Sequence, residues 1–437
     1  MGKGSIGITI LGSGVIGGGV ATVLLQQRKL LAERTGIDLE LLHVAELDRE
    51  KHTVKGAPYC TDAGAAIDDP RTRIVVELIG GTGAAGQLIE RALRLGKHVV
   101  TANKSLLALR GPELFALARE HHACVGFEAS CAGGIPLINS LISGLVANRI
   151  EALVGIVNGT CNFILTQMTR HGLSYAVALE EARKAGFAEA DPTLDVSGRD
   201  AAQKLAILAS LAFDARAAES DIFVRGIDSL DATDLKFAGE LGYVVKLLAI
   251  AQREGKDRVS LRVHPTLVHA DDQLAQVGGS FNAVSIYGNS VGHVLFYGRG
   301  AGRTPTASAV VSDIVQIALG VTPLAFKQMN LLPRDVKMKV LPFEDLQSRY
   351  YLRLTAKDEP GVLAQVTKVL GMHRISLSAV LQREANASQF VPVVITTHQA
   401  REGDVQKALV EIDKIKSLRP PAVCLRIIDP PKEFGGS

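Results

Sequence analysis

The 437-residue chain contains no tryptophan, and its five cysteines are odd in number and show no C-x-x-C spacing. Cys60, Cys124, Cys131, Cys161 and Cys424 therefore supply neither a disulfide framework nor a thiolate zinc site, and a reduced, cytoplasmic setting is expected. An excess of charge is missing too: the formal net charge is +3, with Lys and Arg scattered rather than striped, which argues against nucleic acid as a partner. No apolar run has the length of a membrane span, and Met1-Gly2-Lys3-Gly4-Ser5 leads directly into a strand pattern without a signal-peptide core, so no membrane partner is expected. What is plentiful is small and aliphatic. With 47% hydrophobic residues the composition suits an Ala/Val/Leu-packed α/β protein, and the length calls for two or three domains.

The N-terminal third has the pattern of a dinucleotide-binding unit. A strand over 6–11 ends in Gly12-Ser13-Gly14-Val15-Ile16-Gly17, after which Val20, Val23, Leu24 and Leu31 recur at helical spacing. In this strand–turn–helix context Gly12 permits the tight turn, Gly14 lets backbone N–H groups approach a pyrophosphate, and Gly17 allows close helix–strand contact, with Val15 and Ile16 opening the helix. A second strand, 39–45, ends in Glu46-Leu47-Asp48-Arg49. An acidic side chain there, Glu46 or Asp48, would bind ribose hydroxyls and favour NAD, whereas Arg49 would favour NADP; the choice stays open. A buried strand over 74–78, a Gly80-Gly81-Thr82-Gly83 loop, a helix through 88–95 and a strand at Val99-Val100 follow. Gly80, Thr82 and Lys104 then lie beyond strand carboxyl ends, where doubly wound sheets bind ligands.

The segment from Gly186 to Lys204 concentrates carboxylates before a helix. Ser197 is the expected N-cap of a helix starting near Gly198 and continuing through Leu205, Leu208 and Leu211. Asp200 and Lys204, at i and i+4, share a face of that helix. For an arbitrary pair this would be a surface ion pair worth a few tenths of a kcal/mol. Beside an acidic loop it also has the form of a proton carrier flanked by anchors for a cationic group.

Five stretches together resemble homoserine dehydrogenase: Val76-Glu77-Leu78-Ile79-Gly80-Gly81, Gly96 through Lys104, Gly155-Ile156-Val157-Asn158-Gly159-Thr160-Cys161-Asn162, the acidic segment, and Gly298 through Thr306. The resemblance spans nearly the whole chain in the family's order. It implies NAD(P)-dependent interconversion of L-homoserine and L-aspartate 4-semialdehyde in threonine, methionine and isoleucine biosynthesis. By motif it implies Lys204 as catalytic lysine with Asp200 as its partner, Glu189 and Asp195 as ligands of the substrate ammonium, Lys104 near nicotinamide and substrate, and Gly302 near the cofactor. Where the family usually has Val-Arg-Asp, this chain has Glu46-Leu47-Asp48, so the arginine that would read a 2′-phosphate is absent. The family's monovalent-cation (Na+) site maps to Glu128, Cys131, Gly133 and Ile135, in a Gly-rich stretch that equally suits a hinge. The substrate's chemistry agrees: Glu189 and Asp195 suit its ammonium, the Gly159-Thr160 turn its carboxylate, and Lys204 a proton at the hydroxyl or carbonyl oxygen. Oxidation needs neutral Lys204, hence faster rates at high pH unless desolvation depresses its pKa.

The fold class expected is α/β: a Rossmann-like dinucleotide-binding domain (1–138), an α+β substrate-binding and dimerisation domain (139–330), a Pro-interrupted linker (331–348) and a C-terminal module (349–437). Middle-domain strands are expected over 153–157, 259–268 and 283–287; Tyr243, Lys246 and His264 have catalytic chemistry available, though His264 within a strand pattern is better explained as structural. The tail has strands over 350–355, 375–383, 390–396 and 422–428 with helices over 362–371 and 403–414, a ferredoxin-like βαββαβ order. Asp358-Glu359-Pro360-Gly361-Val362-Leu363 resembles an ACT domain, implying L-threonine as effector at paired modules of a homodimer or homotetramer. The alternative class is an amino-acid sensor whose cofactor part has lost its chemistry; joint presence of Gly12, Gly14, Gly17, Asp200 and Lys204 favours the enzyme.

Overall fold

The structure, a computed structural model, describes residues 5–333, 335–382 and 390–429. Arg334 of the expected linker and Arg383 at the end of an expected strand lie outside them. The chain forms two compact units, each built from three stretches: residues 1–153, 201–222 and 281–338 in the first, and 154–200, 223–280 and 339–437 in the second.

In the first unit, β1 (Ile6–Leu11), β2 (Leu39–Ala45), β3 (Tyr59–Cys60), β4 (Thr72–Glu77), β5 (His98–Thr101) and β6 (Val125–Gly126) form a sheet in the order β3-β2-β1-β4-β5-β6. Every pairing is parallel, and β1 and β4 are apolar on both faces, as parallel strands covered by helices must be. The order reverses at β1, which puts the glycine turn at the switch point. Gly12 has φ +92°, and a Cβ on Gly17 would sit 1.9 Å from the Gly12 carbonyl oxygen, so no other residue fits there. The Val15–Gln26 helix also meets the Arg303–Leu319 helix across Gly19, where a Cβ would lie 3.2 Å from that of Ala307.

β7 (Ile150–Ile156) carries the chain toward the second unit, which adds β8 (Phe223–Val224), β9 (Tyr243–Glu254) and β10 (Arg258–His269). The first unit takes the chain back with the hairpin β11 (Phe281–Gly288) and β12 (Gly292–Arg299). The sequence left β9 and β12 unmarked. In β9 apolar residues run on both faces, Leu247 through Ala251, so no period of two distinguishes it from a buried helix.

The C-terminal part of the second unit contains β13 (Gln347–Lys357), β14 (Leu377–Gln382), β15 (Phe390–Thr397), β16 (Ala400–Arg401) and β17 (Leu418–Ile427), with helices Val362–Met372 and Glu402–Ile412. Strands run β17-β13-β15-β14, the ferredoxin-like arrangement expected. Period-two alternation sorts β13: Tyr350, Leu352, Leu354 and Ala356 join Val362, Val366, Val405 and Leu409 in one core, whereas Tyr351 and Arg353 point the other way. The sheet does not stop at the module's edge. β17 pairs in parallel with β10 at Thr266 and Leu267, making one continuous surface β9-β10-β17-β13-β15-β14 within this unit.

Candidate functional site

A cleft of about 530 Å3 opens at the carboxyl ends of β1, β2 and β4, lined by Gly12, Gly14, Glu46, Lys51, Asp62 and Ile79 among others. Gly14 ends the turn as N-cap of the Val15–Gln26 helix, and a Cβ there would meet nothing within 4 Å, so the backbone is open to a ligand. Val15 is exposed, Ile16 half-buried and Gly17 buried beneath them. Glu46 holds the turn: its carboxylate accepts from Ser13 N at 2.8 Å and Asp48 N at 3.1 Å. The carboxyl group lies below its usual pKa; burial opposes this, and the Ser13 and Asp48 amides with the Lys51 charge outweigh it. Asp48 caps the short Arg49–Lys51 helix, accepting from Glu50 N. Leu47 is 83% exposed. The cationic residue lining the cleft is Lys51, rather than the Arg49 that sequence reasoning weighed.

Two further residues shape the Gly80–Gly83 loop. Buried Glu77 accepts from Ile79 N, Gly80 N and the Thr101 hydroxyl at 2.7–2.9 Å. Asn103 donates to Gly81 O at 2.7 Å while capping the Lys104–Glu120 helix through Leu106 N. Gly80 and Thr82 are exposed on this loop, and Lys104, half-buried, is the first residue of the helix. Gly302 (φ +118°) occupies the N-cap position of the Arg303–Leu319 helix.

In the second unit, Asn158 ends the extended segment after β7 and begins the Gly159–His171 helix. Its amide donates to Asp195 Oδ1 at 2.7 Å and Asp200 Oδ2 at 2.8 Å. The Thr160 hydroxyl donates to Phe187 O at 2.7 Å, tying Gly159 and Thr160 to the acidic loop, on which Glu189 lies exposed. Asp195 sits in a short Thr193–Val196 helix, and Asp200, 4% exposed, in the first turn of the Arg199–Ala212 helix. The helix passes into the first unit at Ala201; Lys204, four residues after Asp200 along it, is half-buried, and its carbonyl accepts from the Cys131 thiol of the same unit at 3.8 Å. Ser197 differs from expectation. It terminates the short helix, its hydroxyl turning back to Leu194 O at 3.5 Å, and the left-handed Gly198 (φ +84°) precedes the long helix. A residue with free φ was needed to turn the chain between two helical segments, and that requirement displaced the Ser cap by one position.

In the Glu128 stretch the carboxylate is tied to the backbone that follows it. Buried Glu128 accepts from Ile138 N at 2.8 Å, Asn139 N at 2.7 Å and Asn139 Nδ2 at 2.5 Å, and Ile135 O accepts from Leu137 N. The carboxylate therefore anchors the turn at 137–139. One carboxylate with the Cys131, Gly133 and Ile135 carbonyls fits a hard monovalent cation in donor type. Burial pushes the Glu128 carboxyl up despite the Asn139 and Ile138 contacts. Glu128 N donates to Asp313 Oδ2 at 2.9 Å, and Asp313, buried beside the Glu128 charge, is pushed up to about 8.

Asn158, Glu77, Lys51 and Asp313 thus lie in the candidate sites by their contacts, and sequence reasoning did not single them out. Only Asn158 carried a local signal, an Asn directly before a helical pattern.

Comparison with known proteins covers the same ground. Family models described as homoserine dehydrogenase, NAD binding domain, and homoserine dehydrogenase match residues 12–128 and 136–315, and an ACT domain model matches 350–415. A homoserine dehydrogenase of Neisseria gonorrhoeae is 40% identical over 97% of this chain and 98% of its own. The crystal structure of a homoserine dehydrogenase from Thiobacillus denitrificans superposes with TM-score 0.91 at 40% identity, over 98% of this chain and 99% of that one. A hyperthermophilic archaeal homoserine dehydrogenase, solved in complex with NADPH, covers 72% of this chain and 98% of its own at TM-score 0.61 and 27% identity.

Proposed function

Because the chain belongs to the homoserine dehydrogenase family and is an NAD(P)-dependent oxidoreductase, we propose that its chemistry runs on the 158–204 constellation. Asp195 and Glu189 take the substrate ammonium, the first turn of the Gly159–His171 helix at Gly159 and Thr160 takes its carboxylate, and Lys204 serves the oxygen at C4. When bound, the nicotinamide supplies or accepts the hydride. In the oxidation direction neutral Lys204 removes the hydroxyl proton; in reduction its ammonium returns a proton to the carbonyl oxygen. Asp200 orients the lysine. The single observation that carries this reading is the bridging of Asp195 and Asp200 by one buried amide, with Lys204 a helical turn away.

For the cofactor, the turn at Gly12, Gly14, Val15, Ile16 and Gly17 receives the pyrophosphate, Glu46 and Asp48 flank the ribose, and Gly80, Thr82, Lys104 and Gly302 belong to the nicotinamide end. With Glu46 held at the end of β2 and an uncharged Leu47 beside it, NAD is used at least as well as NADP. L-Aspartate 4-semialdehyde titrated against NADH and NADPH, followed by nicotinamide absorbance, tests this. A kcat/KM for NADPH tenfold above that for NADH would show instead that Lys51 or Arg49 reads a 2′-phosphate.

Three further assignments complete the reading: Na+ at Glu128, Cys131, Gly133 and Ile135; a homodimer or homotetramer acting in the cytoplasm; and division into domains at 138, 330 and 348. L-Threonine is the effector. A cleft of about 390 Å3 beside the start of the Val362–Met372 helix is lined by Asp358, Glu359, Gly361, Leu363 and Gln382, which offers a helix N-terminus to a carboxylate and an acid to an ammonium.

A further inference from the structure

Asn158 satisfies three partners with one side chain. Oδ1 accepts from Cys161 N at 2.8 Å and caps the Gly159–His171 helix. That contact fixes the amide's orientation, because the flipped form would aim Nδ2 at an N–H group and Oδ1 at two carboxylates. Both Nδ2 hydrogens are consequently spent, one on Asp195 and one on Asp200. At 4% exposure the group is closed to water that might substitute for it. Asp195 and Asp200 belong to separate helical segments joined through the left-handed Gly198, so helix geometry alone does not set their separation. A neutral double donor between two carboxylates does set it.

We propose that Asn158 is a positioning residue for the reaction: it holds the ammonium anchor Asp195 and the lysine partner Asp200 at a fixed spacing, and so governs turnover of homoserine without touching the nucleotide. The inference rests on the site roles proposed above.

Two variants separate this role from helix capping, because Ser and Asp are both favoured N-caps. Asn158→Ser keeps an acceptor for Cys161 N but has one O–H for two carboxylates. Asn158→Asp keeps the cap, has no donor, and adds a third carboxylate. The measurements are thermal midpoint, NADPH affinity by fluorescence titration, and kcat/KM for homoserine across pH 7–10. The serine variant should keep its midpoint and nucleotide affinity and lose about tenfold or more in kcat/KM, the scale of a hydrogen bond to a charged group. The aspartate variant should lose more, with its profile displaced to higher pH. Should the serine variant fold, bind NADPH and keep kcat/KM within twofold, Asn158 is a cap and the inference fails; a loss of rate only in step with a loss of folded protein overturns it equally. If the aspartate variant does not fold, the serine variant carries the test alone. An inactive wild type would instead refute the proposed function, leaving the two failures distinguishable.

Discussion

Replacing Asp234 should loosen the C-terminal module from the rest of its unit. Asp234, on the Ala232–Glu240 helix and 1% exposed, accepts from Arg353 Nε at 2.5 Å, Arg353 Nη2 at 2.9 Å and the Tyr351 hydroxyl at 3.0 Å. Both partners stand on the face of β13 opposite the one that lines the cleft beside the Val362–Met372 helix through Leu354 and Ala356. Burial and the adjacent Asp234 charge push the Tyr351 hydroxyl well above its ordinary pKa, so it remains a neutral donor. Asp234→Ala would leave a guanidinium with 16% side-chain exposure and a buried hydroxyl without their acceptor. Breaking one partner of such a pair costs about 3–5 kcal/mol. For a unit of roughly 200 residues, 3 kcal/mol corresponds to about 6–12 °C in the first calorimetric transition. Arg353→Leu should recover part of the loss when combined with Asp234→Ala, with a coupling of about 2 kcal/mol in the double-mutant cycle. A shift below 2 °C, or strictly additive effects of the two substitutions, would refute the claim that this contact joins β13 to the helix.

Two other expectations follow from buried or cleft-lining carboxyls. The native state keeps Asp313 protonated to about pH 8, whereas the unfolded chain releases that proton near pH 4; stability from this group is full below pH 4 and declines as pH rises through 8, by up to about 1.4 kcal/mol per pH unit. Asp313→Asn should therefore flatten the denaturation midpoint between pH 5 and 8, and an unchanged slope would discount Asp313. Asp358→Ala should weaken threonine inhibition at least tenfold while leaving basal kcat in place; inhibition of undiminished potency would mean that threonine competes at the homoserine site. A cleft substitution is the better probe than truncating before Arg349, because losing β17 and β13 would strip the edge of β10 and leave Asp234 without its partners.

Sequence reasoning reached what local chemistry specifies. Gly12 and Gly17 follow an apolar strand because a positive φ and a close approach to the Gly12 carbonyl admit little else, Gly14 leaves its backbone open, and the run over 350–355 marked a strand where β13 forms. Contacts between residues far apart in sequence were invisible. Asp234 and Arg353 are 119 residues apart, Glu128 and Asp313 185, and nothing in either neighbourhood announces the other. Asn158 falls between these cases: its capping role follows from the helix after it, but its two carboxylate partners, 37 and 42 residues on, emerge only when the acidic loop folds back. The continuous sheet through β10 and β17 escaped for a similar reason, since a 331–348 stretch broken by prolines resembles a free tether. Part of that stretch is paired: Lys337 bridges Arg216 in the first unit, and Val340 bridges Val259 in the second.

The central claim concerns Lys204, and Lys204→Ala tests it most directly. Steady-state oxidation of L-homoserine, with nucleotide affinity measured in parallel, should show kcat lowered roughly 100-fold or more while NAD(P)H binding persists, as loss of a positioned proton carrier requires. Turnover within a few-fold of the wild type would remove Lys204 from the reaction and with it the account of the 158–204 constellation.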